Sequence, residues 1–346
     1  MRIVLLAGGD SSERAVSLDS SAAIWQALER LGHEVVCVDP ASGLRLTISD
    51  GQLLPLDEEK IALEGGQNLV AMPEVVDFAL IPEISEAELV FLGLHGGAGE
   101  NGSIQNLLEM VGVAYTGSGV TASVAAMDKA IAKHLMRSVG VRTAPFVLCR
   151  FGQKKDFPAM AKEVLDQMSC PLIVKPNDGG STVGLSKVTK AEGLVAALEL
   201  AADETHSVLV EQFIAGRELT VAVLDGEALP VVEIRPKSGL YDYEAKYTKG
   251  KTEYIAPAEI EPKVAEAVRA AAEKVYDVIG AAGLARVDFI LNEQNEFYCL
   301  ELNTLPGMTE LSLSPMAAKA VGMSFDQLIE RIVAAGLRMK RDRWTN

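Results

Sequence analysis

Short apolar runs and longer stretches of helical period alternate along the first third of the chain. Residues 3–6 and 34–38 are apolar runs of strand length, and between them the apolar positions from Val16 to Leu31 recur at helical spacing until Gly32. That order predicts a βαβ opening. Residues 44–48 and 53–54 flank Asp50-Gly51, the sequence of a two-residue type I′ turn, and predict an inserted hairpin. A further buried strand over 89–94 leads into a glycine-rich segment, and this first unit is expected to close near residue 120.

Beyond it the pattern predicts a helix over 123–139, strands over 143–148 and 171–175, and a glycine-rich loop over 178–184. A strand over 208–216 leaves this second unit and another over 218–224 returns. The third unit holds a polar loop over 240–252, a helix opened by Pro262 and ended by Gly283, two strands, and a terminal helix. The chain therefore reads as α/β, α+β overall, with units at 1–120, 121–216 and 217–346. It has no internal repeat and no low-complexity tract.

The two strands near the C-terminus carry the sharpest chemistry. A two-residue turn centred on Gln294 and Asn295 would set Arg286 opposite Asn303 and Asp288 opposite Glu301. Alternation along each strand then puts all four polar groups on one face of a hairpin. Opposed carboxylates repel, and a hard divalent cation such as Mg²⁺ would relieve the conflict with Asp, Glu and Asn oxygens as ligands. The alternative is a slipped register with a solvated acidic face.

Length, charge and cysteine narrow the classes. A chain of 346 residues has room for two or three domains. A net charge of −16 argues against nucleic-acid or anionic-membrane surfaces, so a phosphate site would need local basic groups. Cys37, Cys149, Cys170 and Cys299 are scattered singly, without a CxxC pair or a secreted-type framework. No signal-peptide pattern or membrane-length apolar run is present. These features predict a soluble cytoplasmic protein.

Three glycine patterns compete. Gly97-Ala98-Gly99-Glu100-Asn101-Gly102 fits the dinucleotide fingerprint after a strand, which keeps a dinucleotide-binding oxidoreductase or a non-catalytic nucleotide module open. The acidic strand end that should follow is missing. Gly250-Lys251-Thr252 resembles the end of a P-loop but lacks the leading glycine and strand. Lys175-Pro176-Asn177-Asp178-Gly179-Gly180-Ser181-Thr182-Val183-Gly184 reads best as a phosphate clamp, because a lysine ending a buried strand needs an anion and consecutive glycines let backbone N–H groups approach one. An ordinary hairpin with an exposed lysine is the competing reading. Lys129 and Lys246 add positive charge, and His95 can be read as a cap on local backbone.

Taken in order, these strings resemble the ATP-grasp superfamily and, within it, the D-alanine–D-alanine ligases. The most specific run is Glu301-Leu302-Asn303-Thr304-Leu305-Pro306-Gly307-Met308-Thr309, continuing to Ser312-Leu313 and preceded by Arg286-Val287-Asp288. Gly8-Gly9-Asp10-Ser11-Ser12-Glu13, His95 to Glu100, Met127-Asp128-Lys129, and Tyr243 to Tyr247 support it. The resemblance implies a three-domain ATP-grasp fold with an N-terminal Rossmann-like domain. It implies two Mg²⁺ ions, with Mn²⁺ as a possible substitute, on Asp288, Glu301 and Asn303. Lys129, Lys175 and Lys246 would meet the ATP phosphates, with Ser181 in the loop above them and Glu211, Gln212, Ile214 and Glu218 around adenine and ribose. Glu13 would bind the first D-alanine's ammonium and connect with Ser181 and Tyr247, and His95, where it is not a backbone cap, would be a substrate-side residue. Arg286 and the Gly307 backbone would stabilise an oxyanion, while Ser312 and Leu313 would receive the second D-alanine's carboxylate.

The implied reaction joins two D-alanines through a D-alanyl phosphate for peptidoglycan synthesis, in a homodimer. Asn101, Thr182 and Leu302 depart from the family's commonest residues but are not among the implied ligands. Relatives that make the D-alanine–D-lactate product depart from the Lys-Tyr pattern at Lys246-Tyr247, so Tyr247 favours the dipeptide. A ligase accepting D-lactate or D-serine is the neighbouring alternative.

Overall fold

The computed structural model describes residues 1–56, 82–152, 155–180, 182–203, 205–237, 250–309 and 312–344. Strands β1 (Arg2–Leu6), β2 (Glu34–Asp39), β3 (Leu44–Ser49), β4 (Gln52–Pro55) and β5 (Leu89–Leu92) form a sheet of order β4-β3-β2-β1-β5. β1 pairs in parallel with β2 and β5, as the βαβ reading expects, and helix α1 (Arg14–Arg30) makes the crossover. The inserted hairpin is also as expected: Asp50 and Gly51 both take positive φ, 49° and 78°, as a type I′ turn requires. Helices α2 (Pro82–Ser85), α3 (Gly97–Glu100) and α4 (Ser103–Val111) complete this region.

The expected single helix over 123–139 is two helices, α5 (Val120–Met127) and α6 (Lys129–Ser138). Asp128 breaks it, because in an extended conformation its carboxylate accepts the Ile131 N–H at 2.9 Å and caps α6. The break has a chemical consequence, since it places Lys129 at the first position of α6, buried. Asp128→Ala should cost about 1 kcal/mol, read by urea unfolding.

Strands β6 (Phe146–Arg150), β7 (Leu172–Pro176), β8 (Ser186–Val188) and β9 (Ser207–Gln212) form an antiparallel sheet of order β6-β9-β7-β8, packed against helices α7 (Phe157–Gln167) and α8 (Leu194–Ala202). The third sheet runs β13-β12-β10-β14-β15, with β11 beside β10. Its strands are β10 (Arg217–Leu224), β11 (Glu227–Ala228), β12 (Val232–Pro236), β13 (Thr252–Ile255), β14 (Leu284–Leu291) and β15 (Phe297–Asn303). Helix α9 (Pro262–Ile279) covers one face and ends at Gly280 in the left-handed region, three residues before the glycine expected. The expected terminal helix is a pair, α10 (Leu313–Ala320) and α11 (Phe325–Trp344). α11 returns to the first sheet, packing Leu328, Ile329 and Ile332 in one core with Leu28 and Phe91.

The β14–β15 hairpin has the expected pairs at the site but reaches them differently. Asn292 N–H donates to Glu296 O at 2.9 Å, so the turn holds three residues rather than two. That turn pairs Phe289 with Cys299, and continued regularly it would set Asp288 opposite Leu300. A β-bulge at Leu300 shifts the register, and Asp288 faces Glu301 while Arg286 faces Asn303. The reason lies in the core. Cys299 and Leu302 are both buried in the same cluster, yet they are three residues apart, a spacing that strict alternation cannot place on one face. The bulge absorbs the odd residue.

Candidate active site

The cleft among the three sheets has a volume of about 640 Å³. Glu13, His95, Lys129, Arg286, Glu301, Asn303, Gly307, Ser312 and Leu313 all line it. All nine were expected from the sequence, from segments around Glu13, His95, Lys129 and Arg286 and from the run beginning at Glu301.

The first wall stands at the ends of β1 and β5. Gly8 and Gly9 turn out of β1 with positive φ, and Ser11 Oγ donates to His95 O at 2.6 Å, fixing the loop that carries Glu13. Gly96 takes a φ of 67°, in the left-handed region that favours glycine, with its backbone close to the Glu13 carboxylate. The Gly97 to Gly102 pattern serves packing of this kind, since a Cβ on Gly99 would strike Leu94 and one on Gly102 would strike Val124. His95 is buried and accounts for both its nitrogens. Leu305 O can only accept, so Nδ1 carries the proton at 2.9 Å, and Nε2 accepts from Ser20 Oγ at 3.1 Å. Ser20 Oγ in turn accepts the Met308 N–H at 3.2 Å. Burial lowers the His95 pKa, so a neutral ring bridges α1 to the 305–308 loop. It therefore both lines the cleft and caps backbone, though the backbone is distant in sequence.

The second wall is the bulged hairpin. Arg286 forks onto Asp288 through Nε at 3.0 Å and Nη2 at 2.9 Å, and Asn303 Nδ2 donates to the same carboxylate at 3.0 Å. Thr220, directly opposite on β10, donates from Oγ1 at 2.6 Å. Lys129 Nζ lies 3.7 Å from Glu301 Oε2. Arg286 on Asp288 and Lys129 beside Glu301 already offset part of the charge of the opposed carboxylates. The oxygens of Glu301, Asn303 and Asp288 on one face still form the hard donor set that suits Mg²⁺. Both Asp288 oxygens are shared with Arg286, so a cation there would compete with the guanidinium.

The third wall is the glycine loop. Lys129 Nζ donates to Gly179 O, and a Cβ on Gly180 would come within 3.4 Å of Glu13 Oε2, so the loop reaches across to the first wall. Ser181, Lys246 and Tyr247 lie outside the described residues. Burial depresses the pKa of Lys129, opposed by Glu301. Lys175 lies behind the lining, its Nζ 2.6 Å from Glu211 Oε2, while Lys133 Nζ meets Oε1 at 2.5 Å. Burial would raise the Glu211 pKa, but these two lysines pull it down to about 2. Gln212, Ile214 and Glu218 sit where the chain passes from β9 to β10, outside the cleft lining; Gln212 Nε2 donates to Pro171 O at 2.9 Å. Beside them Lys187 Nζ stands 3.5 Å over the Phe213 ring.

Sequence reasoning did not select Thr220, Lys133 or Glu100. Only the pairing of Thr220 with Asp288 could have pointed to the first. Glu100 lines the cleft with a side chain 16% exposed, and burial, then the charge of Glu13, raises its pKa to about 8. Its folded pKa lies above its ordinary value of 4.5, so the stability it confers is complete below 4.5 and is lost as pH rises through 8. Glu100→Gln should therefore gain on the wild type between pH 5 and pH 9, by of order 4 kcal/mol in urea unfolding.

Two antiparallel sheets flanking a cleft, with lysines and a glycine loop on one side and a carboxylate hairpin on the other, define an ATP-grasp fold. Two family profiles match the chain, D-ala D-ala ligase N-terminus over residues 2–118 and D-ala D-ala ligase C-terminus over residues 135–334. The D-alanine–D-alanine ligase of Syntrophotalea carbinolica is 44% identical over 338 residues, 97% of each chain. That of Gloeobacter violaceus is 39% identical, covering 97% of this chain and all of its own. Among solved structures, the Bacillus anthracis D-alanine–D-alanine ligase complexed with ATP superposes with a TM-score of 0.77 at 28% identity over 99% of both chains. The VanG D-Ala:D-Ser ligase of Enterococcus faecalis gives 0.78 at 28% identity over 97% of this chain and 99% of its own. The chain belongs to the D-alanine–D-alanine ligase family.

Proposed function

We propose that this protein uses ATP to join two D-alanines, through a D-alanyl phosphate, for peptidoglycan synthesis. The observation that carries the reading is the meeting of Glu13, Lys129, Arg286, Glu301, Gly307 and Ser312 around one cleft. A carboxylate is a poor electrophile, and transfer of the ATP γ-phosphoryl group to it supplies a leaving group. Glu13 holds the ammonium of the first D-alanine, and a carboxylate oxygen of that D-alanine attacks the γ-phosphorus as ADP departs. The amine of the second D-alanine then attacks the acyl carbon and phosphate leaves. Arg286 and the Gly307 backbone N–H stabilise the oxyanion at that carbon. The N-terminus of α10, at Ser312 and Leu313, receives the second D-alanine's carboxylate, since its first backbone N–H groups lack partners within the helix.

Lys129 and Lys175 meet the phosphates, and the family resemblance adds Lys246 as a third cation and gives Ser181 and Tyr247 the role of keeping water from the acyl phosphate. Gln212, Ile214 and Glu218 hold adenine and ribose, with Glu211 at their base. Asp288, Glu301 and Asn303 would hold Mg²⁺, two ions as the resemblance implies, and the metal would supply charge neutralisation for phosphoryl transfer. We propose units at 1–120, 121–216 and 217–346, a cytoplasmic location, and a homodimer through the first unit. No described helix is long and apolar enough to cross a membrane.

The test is product analysis with Mg-ATP and D-alanine, alone and in competition with D-serine or D-lactate. D-alanyl-D-alanine and ADP in equal amounts are expected. A predominant mixed product would move the protein to the neighbouring ligase class, and NAD binding without Mg-ATP binding would remove it from the ligases.

A further inference from the structure

Glu211 divides its carboxylate between two lysines of different standing. Lys133, from the middle of α6, is fully buried and meets Oε1; Lys175, at the end of β7, is 11% exposed and meets Oε2. Neither Lys133 Nζ nor Glu211 Oε1 has a hydrogen-bond partner of good geometry among the described residues, so the contact is an ion pair with nothing else to satisfy either atom. Burial opposes the Lys175 ammonium, and the charges of Glu211 and then Glu301 favour it. Lys129 and Lys133 are one helical turn apart, yet Lys129 turns into the cleft and Lys133 into the interior.

A buried carboxylate that loses its cation is costly, so a lysine bound alone to Glu211 would be held there. With two lysines on it, one can leave and the other still balances the charge. We infer that Lys133 is a positioning residue of the nucleotide site, neutralising Glu211 from behind so that Lys175 is released to a phosphate anion. The inference rests on the reading of Lys175 as a phosphate ligand. The competing explanation is that Lys133 only ties α6 to β9.

The two are separated by a double-mutant cycle on Mg-ATP affinity, measured by titration calorimetry without D-alanine, for wild type, K133M, E211Q and K133M/E211Q. Lys133→Met is expected to weaken Mg-ATP on the order of tenfold while Glu211 is present, and less than about twofold once Glu211→Gln has removed the charge. In turnover, K133M should raise the KM for ATP and leave the KM for D-alanine near that of wild type. Equal losses in both backgrounds, or no loss in either, would overturn the inference and leave the ligase reading intact. Wild-type protein that binds no Mg-ATP would sink both. If K133M alone does not fold, Lys133→Gln takes its place in both arms of the cycle, with the same outcomes deciding.

Discussion

Glu301→Gln is expected to leave the protein folded and lower kcat by roughly a thousandfold or more, the scale of losing one charged ligand that acts on a transferring phosphoryl group. The substitution keeps the shape of the side chain and its place on the bulged strand, and it removes a charge that faces Asp288 and Lys129. Thermal unfolding should therefore stay close to that of the wild type. The loss belongs to chemistry rather than to packing, because Glu301 lies on the cleft face while its neighbour Leu302 is in the core. Near-normal turnover at saturating Mg²⁺ would remove Glu301 from the proposed metal site.

Arg286→Lys should cost about a hundredfold in kcat with the KM for ATP within a few-fold of wild type, as for loss of one donor to a developing oxyanion. Lysine keeps the charge and so spares Asp288 an unbalanced burial. It cannot reproduce the two-pronged contact, with Nε and Nη2 both on Asp288, that fixes the plane of the guanidinium at the cleft wall. The split between kcat and KM is the informative part. A raised KM with unchanged kcat would make Arg286 a ground-state binding group instead.

Much of this site was legible because its residues sit in local strings whose periodicity survives folding. The βαβ opening and the Asp50-Gly51 hairpin followed from alternation and turn chemistry alone. The carboxylate pairing was expected with a turn one residue too short and no bulge, and the two departures offset each other at Asp288 and Glu301. What hid the bulge was the spacing of Cys299 and Leu302, which points to an irregular strand only when both are known to be buried. The break at Asp128 was legible in principle, since a helix cap before Lys129 has a sequence signature, but the apolar period runs across it.

Thr220 and Lys133 were out of reach for another reason. Each matters through a partner far along the chain, Asp288 for one and Glu211 for the other, and no local pattern encodes such a meeting. Glu100 illustrates the same limit in electrostatics. Its raised pKa arises from burial beside Glu13, a proximity made by the fold.

The central claim is that the cleft activates a carboxylate by phosphorylating it, and isotope transfer tests that most directly. D-alanine labelled with ¹⁸O in its carboxylate, turned over with Mg-ATP, should give inorganic phosphate carrying one labelled oxygen per dipeptide formed. Dipeptide formed alongside unlabelled phosphate would contradict the acyl phosphate and, with it, the proposed roles of Arg286 and the carboxylate hairpin.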